Sequence, residues 1–525
     1  MLTWPPSIVH AFAEHAERAP EATCLSFEGQ SWSRGRLHGE ARRWAAALRA
    51  WGLEPGQRVA LLLENSPSFV AAYLGVHLAG GIVVLVNTQY RQVELRHILA
   101  DAGVVLCLTD RPRRAELARV AADLVALEGV VTVGRGADEP DDERLLANNI
   151  RELDDQAFLA AGRGGPERLP ESESVAVIGY TSGTTGRSKG AALLHRNLAA
   201  NAASVTGAWR WTAEDRLLLT LPLFHAHGLF VGVHGTLLTG ASADLRRRFE
   251  AADAFETLLK GEATMFFGVP TMYTRLIAEA ERRGAQPRPI RLYVSGSAPL
   301  AVETFTRFER LFGQRILERY GMTETIMNLT NPYDGERRPG TVGGPFPGQE
   351  ARIVDVATRR PIEGEAPGEI QVRGPNVFSG YWQNPEATAE AFDGEGWFNS
   401  GDLGWRSADG YYTISGRARE LIISGGFNIY PREVEEVLLT HPGVADVAVL
   451  GLPHPDFGEQ VVAAVEVKAD APPPAAEALV ELCRDQLASY KKPRRVFFVA
   501  SLPRNALGKV QKHVLRERLL AEARQ

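Results

Sequence analysis

Residues 180–190, YTSGTTGRSKG, hold the side chains whose types and spacing most directly suggest chemistry. Thr181, Ser182, Thr184 and Thr185 offer hydroxyls and backbone N–H groups with little bulk, and Gly183 and Gly186 let the backbone approach a ligand closely. Lys189 adds one mobile positive charge. The apolar run 175–178 ahead of them reads as a buried strand. Strand, small polar loop and lysine together describe a phosphate cradle. It is not a Walker A loop, which needs Gly-Lys-Ser/Thr; Ser188 stands where that glycine should be, and Gly190 follows the lysine. On composition alone the stretch also fits a flexible Gly/Ser/Thr surface loop.

A cradle becomes a site only if other elements deliver residues to it. Residues 32–110 alternate helices (36–51, 66–78, 93–102) with strands (58–63, 82–86, 104–109). That rhythm argues for a parallel sheet with helices on its faces. Residues 111–172 are charged and turn-rich and read as a peripheral connection. Beyond the cradle and a helix at 197–208, four strands end in loops of small, polar or histidine residues. These loops carry His225 and His227, then 268–271 (GVPT), then Gly296, Ser297 and Ala298, then Tyr320, Gly321, Met322, Thr323 and Glu324. Ligands of open α/β sheets sit at the carboxyl ends of strands. The convergence therefore favours a binding site over a surface loop.

From about residue 341, glycine and proline punctuate short strands, the pattern of a β-rich subdomain reaching to 416. A compact α+β unit follows over 420–525, about 100 residues and large enough to be its own domain. The fold class is α/β: a large N-terminal region, 1–416, of α/β sheets plus the β-rich subdomain, a boundary at 417–419, and a small C-terminal domain. At 525 residues two or more domains are expected. The net charge of −6 implies no broad basic field and argues against nucleic acid as a partner. Cys24, Cys107 and Cys483 show no metal spacing, fit a reducing, cytoplasmic compartment, and read as buried fillers. The apolar run 69–86 is broken by His77 and by Gly80 and Gly81, so it reads as helix, turn and strand and not as a membrane span.

Six motifs stand in register: the loop at 180–190, YGMTE at 320–324, SGD at 400–402, GR at 416–417, GGFNIYP at 425–431 and PRNALGK at 503–509. In that order the chain resembles the acyl-activating adenylate-forming enzymes, which include acyl-CoA synthetases, luciferases and adenylation domains. The resemblance implies a two-step reaction with ATP, Mg2+ and coenzyme A. A carboxylate attacks the α-phosphate, and a thiol then displaces AMP. It assigns Thr181, Ser182, Gly183, Thr184, Thr185, Gly186 and Lys189 to the phosphates and Glu324 to the metal. Tyr320, with Gly321, Met322 and Thr323, and the wall of Gly296, Ser297 and Ala298 would take the adenine. Asp402 and Arg417 would take the ribose. Lys509 matches the family's mobile catalytic lysine. Thr184, Lys189 and Glu324 join it as candidate catalytic residues. Gly425 and Gly426 would line the pantetheine tunnel, and Arg432, Lys491 and Lys492 are candidates for the coenzyme A phosphates. The C-terminal domain of such enzymes rotates between half-reactions. Arg419 stands at the pivot, where Asp or Lys is usual.

The wider stretches 268–300 and 318–335 resemble malonyl-CoA synthetases. That likeness implies malonate or methylmalonate as the acid, with Arg291 meeting its second carboxylate and His225 near the acyl pocket, while His227 packs. Other readings stay open: a ligase for another small, fatty or aromatic acid, a protein loading a carrier-protein thiol, or a light-emitting type of oxidase. A non-catalytic nucleotide-binding regulator is disfavoured, because Lys509 and Glu324 are both present. A homodimer is left open.

Overall fold

The computed structural model describes residues 3–134, 150–163, 165, 168–181, 188–424, 427–469, 471–505 and 508–522, with Arg419 and Asn428 described by backbone alone. Two large sheets carry the N-terminal region. The first runs in the order Gly380–Tyr381, Gly190–Leu194, Val175–Tyr180, Ile82–Leu85, Arg58–Leu62, Val104–Thr109, Gly129–Thr132 and Arg151–Asp154. Its six strands from Val175–Tyr180 onward are parallel, and the first two in that order pair antiparallel. The central strands are covered on both faces, so they read as unbroken apolar runs rather than alternating ones.

The second sheet has the order Gly344–Pro345, Leu329–Thr330, Leu317–Tyr320, Leu292–Ser295, Met265–Gly268, Arg216–Leu219, Ser242–Leu245, Thr23–Phe27 and Gln30–Ser33. Its central strands are again parallel. Their carboxyl ends open toward one region, which is how loops far apart in sequence meet. Gly179 makes the junction of the two sheets: a Cβ there would lie 2.7 Å from Thr323 Cγ2. No side chain fits between that strand and the Tyr320–Glu324 turn.

The apolar run 69–86 resolves as expected into the helix Pro67–Leu78, a turn with Gly80 at φ 83° and the strand Ile82–Leu85. The helix is buried all round, which accounts for its lack of a polar face. Among the described residues no helix is long and apolar enough to cross a membrane. The three cysteines are buried and unpaired. Residues 111–172 are more than a connection. They hold the helix Arg111–Ala121, capped by Asp110, and two further parallel strands of the first sheet. Those strands are four residues each, and the outer one is polar, so no periodicity betrays them.

The β-rich subdomain is a four-stranded antiparallel sheet of Glu350–Val354, Gly368–Arg373, Phe398–Arg406 and Tyr412–Arg417. One 3-10 turn, Ala418–Glu420, leads onward. The C-terminal unit packs the helices Pro431–Leu439, Ala476–Gln486 and Lys512–Glu522 on a five-stranded sheet with apolar clusters of its own.

Candidate active site

Ser182, Gly183, Thr184, Thr185 and Gly186 of the cradle lie outside the described residues, as do Gly425 and Gly426. The cradle's two arms are well defined. Tyr180 pairs with Gly190 across the hairpin, and Thr181 N–H donates to the Lys189 carbonyl at 3.0 Å. The helix Gln92–Asp101 grips both arms. The Tyr180 hydroxyl donates to Asp101 at 2.5 Å, and His97 Nε2 lies 2.7 Å from the Ser188 carbonyl. A carbonyl only accepts, so that nitrogen carries the proton. The Lys189 ammonium sits 5.1 Å from the ring centroid of Tyr381, within cation–π range.

The turn 320–324 leaves the strand Leu317–Tyr320 tightly folded. A Cβ on Gly321 would lie 2.0 Å from the Ile326 carbonyl, so only glycine fits. Glu324 is 6% exposed, and its Oε1 accepts from the Tyr381 hydroxyl at 3.0 Å. Burial raises its pKa above the usual carboxylate value. Tyr320 is also buried, and its hydroxyl donates to Asp402 Oδ2 at 2.5 Å. Asp402 Oδ1 lies 2.9 Å from Arg417 Nε, its partner across neighbouring strands. The Asp402 carboxylate keeps the Arg417 guanidinium firmly charged. The candidate adenine and ribose residues thus form one hydrogen-bonded unit. Glu324 also suits a magnesium ion, which is commonly held by one or two carboxylates together with substrate phosphates. Among the described residues no cluster of three or more His, Cys, Asp or Glu would hold a metal on its own.

The wall residues Gly296 and Ser297 sit against a buried arginine that sequence reasoning overlooked. Arg319 is 3% exposed. Its Nη2 lies 3.5 Å from Ser297 Oγ, and its Nε has no hydrogen-bond partner among the described residues. A Cβ on Gly296 would lie 2.4 Å from Arg319 Cζ, so the glycine makes room for the guanidinium. Ser297 holds a left-handed φ of 69°, uncommon for a residue with a side chain. His227 Nδ1 lies 3.5 Å from Ser297 Oγ, and its Nε2 has no partner among the described residues. Burial, then the nearby Arg319 charge, holds His227 neutral well below its ordinary pKa. His227 therefore packs, as expected, but it also faces this wall. His225 lies just ahead of it with its ring against Phe224, and burial lowers its pKa to about 4.

Arg291 stands elsewhere, and the expectation for it is corrected. It precedes the strand Leu292–Ser295, whose far end carries Gly296. Four strand residues separate the two ends by ~13 Å. Its guanidinium is bidentate to Asp215, at 2.5 and 2.7 Å, and donates to the Trp209 carbonyl at 2.9 Å. That is a structural ion pair at the amino ends of the strands. The sequence shows a charge beside an apolar run at both places, and only the fold tells which end faces the ligand.

Lys509 is anchored through its backbone to Asn505. Its N–H donates to Asn505 Oδ1 at 3.0 Å, and its carbonyl accepts from Asn505 N–H at 2.9 Å. The neighbouring Gly508 packs on Thr271, where a Cβ would meet the Thr271 hydroxyl at 3.0 Å. This brings the segment around Lys509 to the carboxyl end of the strand Met265–Gly268. The other basic candidates are engaged with neighbours: Arg432 pairs with Glu436, Lys491 with Glu433, and Lys492 donates to Ser489.

Hydrogen bonds and an ion pair bring Tyr320, Asp402 and Arg417 together, and the segment around Lys509 from the C-terminal unit meets the N-terminal region at Thr271; comparison with known families gives the class. Residues 12–382 match the family described as AMP-binding enzyme, and residues 433–509 match the AMP-binding enzyme C-terminal domain. The chain belongs to this adenylate-forming family and is an AMP-forming acid–thiol ligase. It is similar to the malonate–CoA ligase of Arabidopsis thaliana, 33% identical over 97% of this chain and 88% of that protein. It is also similar to the feruloyl-CoA synthase of an Amycolatopsis species, 35% identical over 98% of both. Among solved structures it resembles ATP-bound MatB from Rhodopseudomonas palustris, with a TM-score of 0.87 and 37% identity over 97% of this chain and 98% of that one.

Proposed function

We propose that the chain activates a short dicarboxylic acid, malonate or methylmalonate, and transfers the acyl group to coenzyme A. The observation that carries the choice of acid is Arg319. Burial lowers its pKa to about 9, so it remains a cation at neutral pH, with one guanidinium nitrogen lacking a partner among the described residues. A buried cation is costly unless an anion answers it. A substrate's second carboxylate in hydrogen-bond reach of Arg319, Ser297 and His227 would do so. The similarity to a malonate–CoA ligase supports the same reading, while that to a feruloyl-CoA synthase keeps an aromatic acid as the alternative.

Under this reading Thr181 and Lys189 steady the β- and γ-phosphates. Tyr320 lies against the adenine, and Asp402 with Arg417 meets the ribose. Glu324 would hold Mg2+, which supplies charge neutralisation for the departing pyrophosphate. The reacting carboxylate oxygen bonds to the α-phosphorus as the bond to pyrophosphate breaks. Lys509 answers the charge that builds at the α-phosphate oxygens. The coenzyme A thiolate then attacks the acyl carbon, and AMP leaves with the electrons of the carbon–oxygen bond.

The test is a panel of malonate, methylmalonate, acetate, octanoate and benzoate, with and without coenzyme A, followed by pyrophosphate and AMP release. Malonate or methylmalonate is expected to lead, with full turnover only when coenzyme A is present. Octanoate or benzoate outperforming malonate would overturn the dicarboxylate reading.

A further inference from the structure

We propose that Tyr381 is a positioning residue that fixes Lys189 and Glu324 relative to each other. The inference rests on the reading that Lys189 meets the phosphates and Glu324 holds the divalent cation. One side chain reaches both charges. The ring lies 5.1 Å from the Lys189 ammonium, and the hydroxyl donates to Glu324 Oε1 at 3.0 Å. Burial, followed by the Glu324 charge, raises the pKa of the phenol, so it stays a donor throughout the physiological range.

The backbone around Tyr381 is laced to the same two places. Phe378 N–H donates to the Glu324 carbonyl at 2.8 Å. Ser379 N–H donates to the Ala192 carbonyl at 3.0 Å, Tyr381 pairs with Ala191, and Trp382 N–H donates to the Gly190 carbonyl at 2.7 Å. Residues 378–382 thus stitch the arm that carries Lys189 to the turn that carries Glu324. These two turns belong to different sheets, and their separation decides whether a cation and a phosphate can be held together. The tyrosine hydroxyl also fixes the rotation of the carboxylate by holding one of its oxygens, which sets the direction of the other.

The full-length enzyme and three variants test this by Mn2+ titration in the presence of ATP, read by electron paramagnetic resonance, alongside steady-state kinetics. Tyr381→Phe keeps the ring and removes the hydroxyl. It is expected to weaken Mn2+·ATP binding about tenfold, the worth of one hydrogen bond to a charged group. It should raise the KM for ATP while leaving the KM for the acid unchanged. Tyr381→Leu also removes the ring and should raise the KM for ATP a further ~3-fold. Unchanged Mn2+·ATP affinity in Tyr381→Phe overturns the proposal, and so does a fall in kcat alone with lowered thermal stability, the sign of a merely structural residue. Glu324→Gln separates the two layers. If it leaves Mn2+·ATP binding intact, the cation reading itself fails. If it abolishes binding while Tyr381→Phe does not shift it, only the role of Tyr381 fails.

Discussion

The Tyr320 hydroxyl donates to the Asp402 carboxylate at 2.5 Å, while Arg417 holds the other oxygen of that carboxylate at 2.9 Å. Tyr320 ends a strand of the nine-stranded sheet, whereas Asp402 and Arg417 face each other in the β-rich subdomain. The three side chains therefore join two layers, and under the proposed function they form the nucleotide face. Asp402→Asn keeps the shape and removes the charge. It is expected to raise the KM for ATP about 10- to 100-fold, the worth of a charge-assisted hydrogen bond of ~1.5–3 kcal/mol. A folded variant with an ordinary KM for ATP would remove Asp402 from the nucleotide site.

Lys509 is asked to act in one half-reaction. Lys509→Ala should lower adenylate formation by about 10²–10³, the usual cost of losing one group aimed at developing charge. Thioester formation from supplied acyl-adenylate should stay largely intact. The two half-reactions are measured separately by pyrophosphate release and by acyl-CoA formation, and equal loss of both would contradict the assignment.

The two arginines make opposite predictions. Arg291→Ala strands Asp215, whose side chain is 4% exposed, without its bidentate partner. Breaking a buried pair in this way costs about 3–5 kcal/mol. The denaturation midpoint should fall while the KM for malonate holds. Arg319→Met should instead raise the KM for malonate at least tenfold and spare activity on acetate. A malonate defect confined to Arg291→Ala would return the substrate role to that residue.

Acid should unfold the protein from within. His77, His195 and His234 are buried close together, with His77 and His195 ring centroids 4.7 Å apart and Tyr73 between His77 and His234. Burial, the largest cause in each case, lowers His195 and His234 to about 3 and His77 well below the ordinary 6.5. These imidazoles are neutral in the fold and take up protons when unfolded. Their contribution is fully present above pH 6.5 and is lost as pH falls toward 3. Each imidazole should cost about 1.4 kcal/mol per pH unit across that window. Urea midpoints at pH 7.5, 6.5 and 5.5 read this directly, and a flat series would rule it out.

Much of the architecture was legible because parallel strands under helices leave unbroken apolar runs and because their loops carry unusual residues. The helix Pro67–Leu78 and the strands around it could be read this way. The strands Gly129–Thr132 and Arg151–Asp154 could not, being too short or too polar for a period. Within the site, Tyr320, Glu324, Asp402 and Lys509 stood in motifs. Arg319 sits directly beside one, yet nothing in its spacing distinguishes a buried arginine from a surface one. Its signal lies in Gly296, whose missing side chain makes room for it. Tyr381 is likewise visible only once sheet pairing brings it to Lys189.

The strand Gly380–Tyr381 has a further consequence. It is two residues long and closes the outer side of Gly190–Leu194, which would otherwise be the rim of the eight-stranded sheet. That arm is buried along its length and wholly apolar apart from its first glycine. Uncovered, its row of amide groups would be a template for another chain to pair with. Deleting the backbone pairing of 378–382, unlike changing the Tyr381 side chain alone, should therefore appear as self-association on expression.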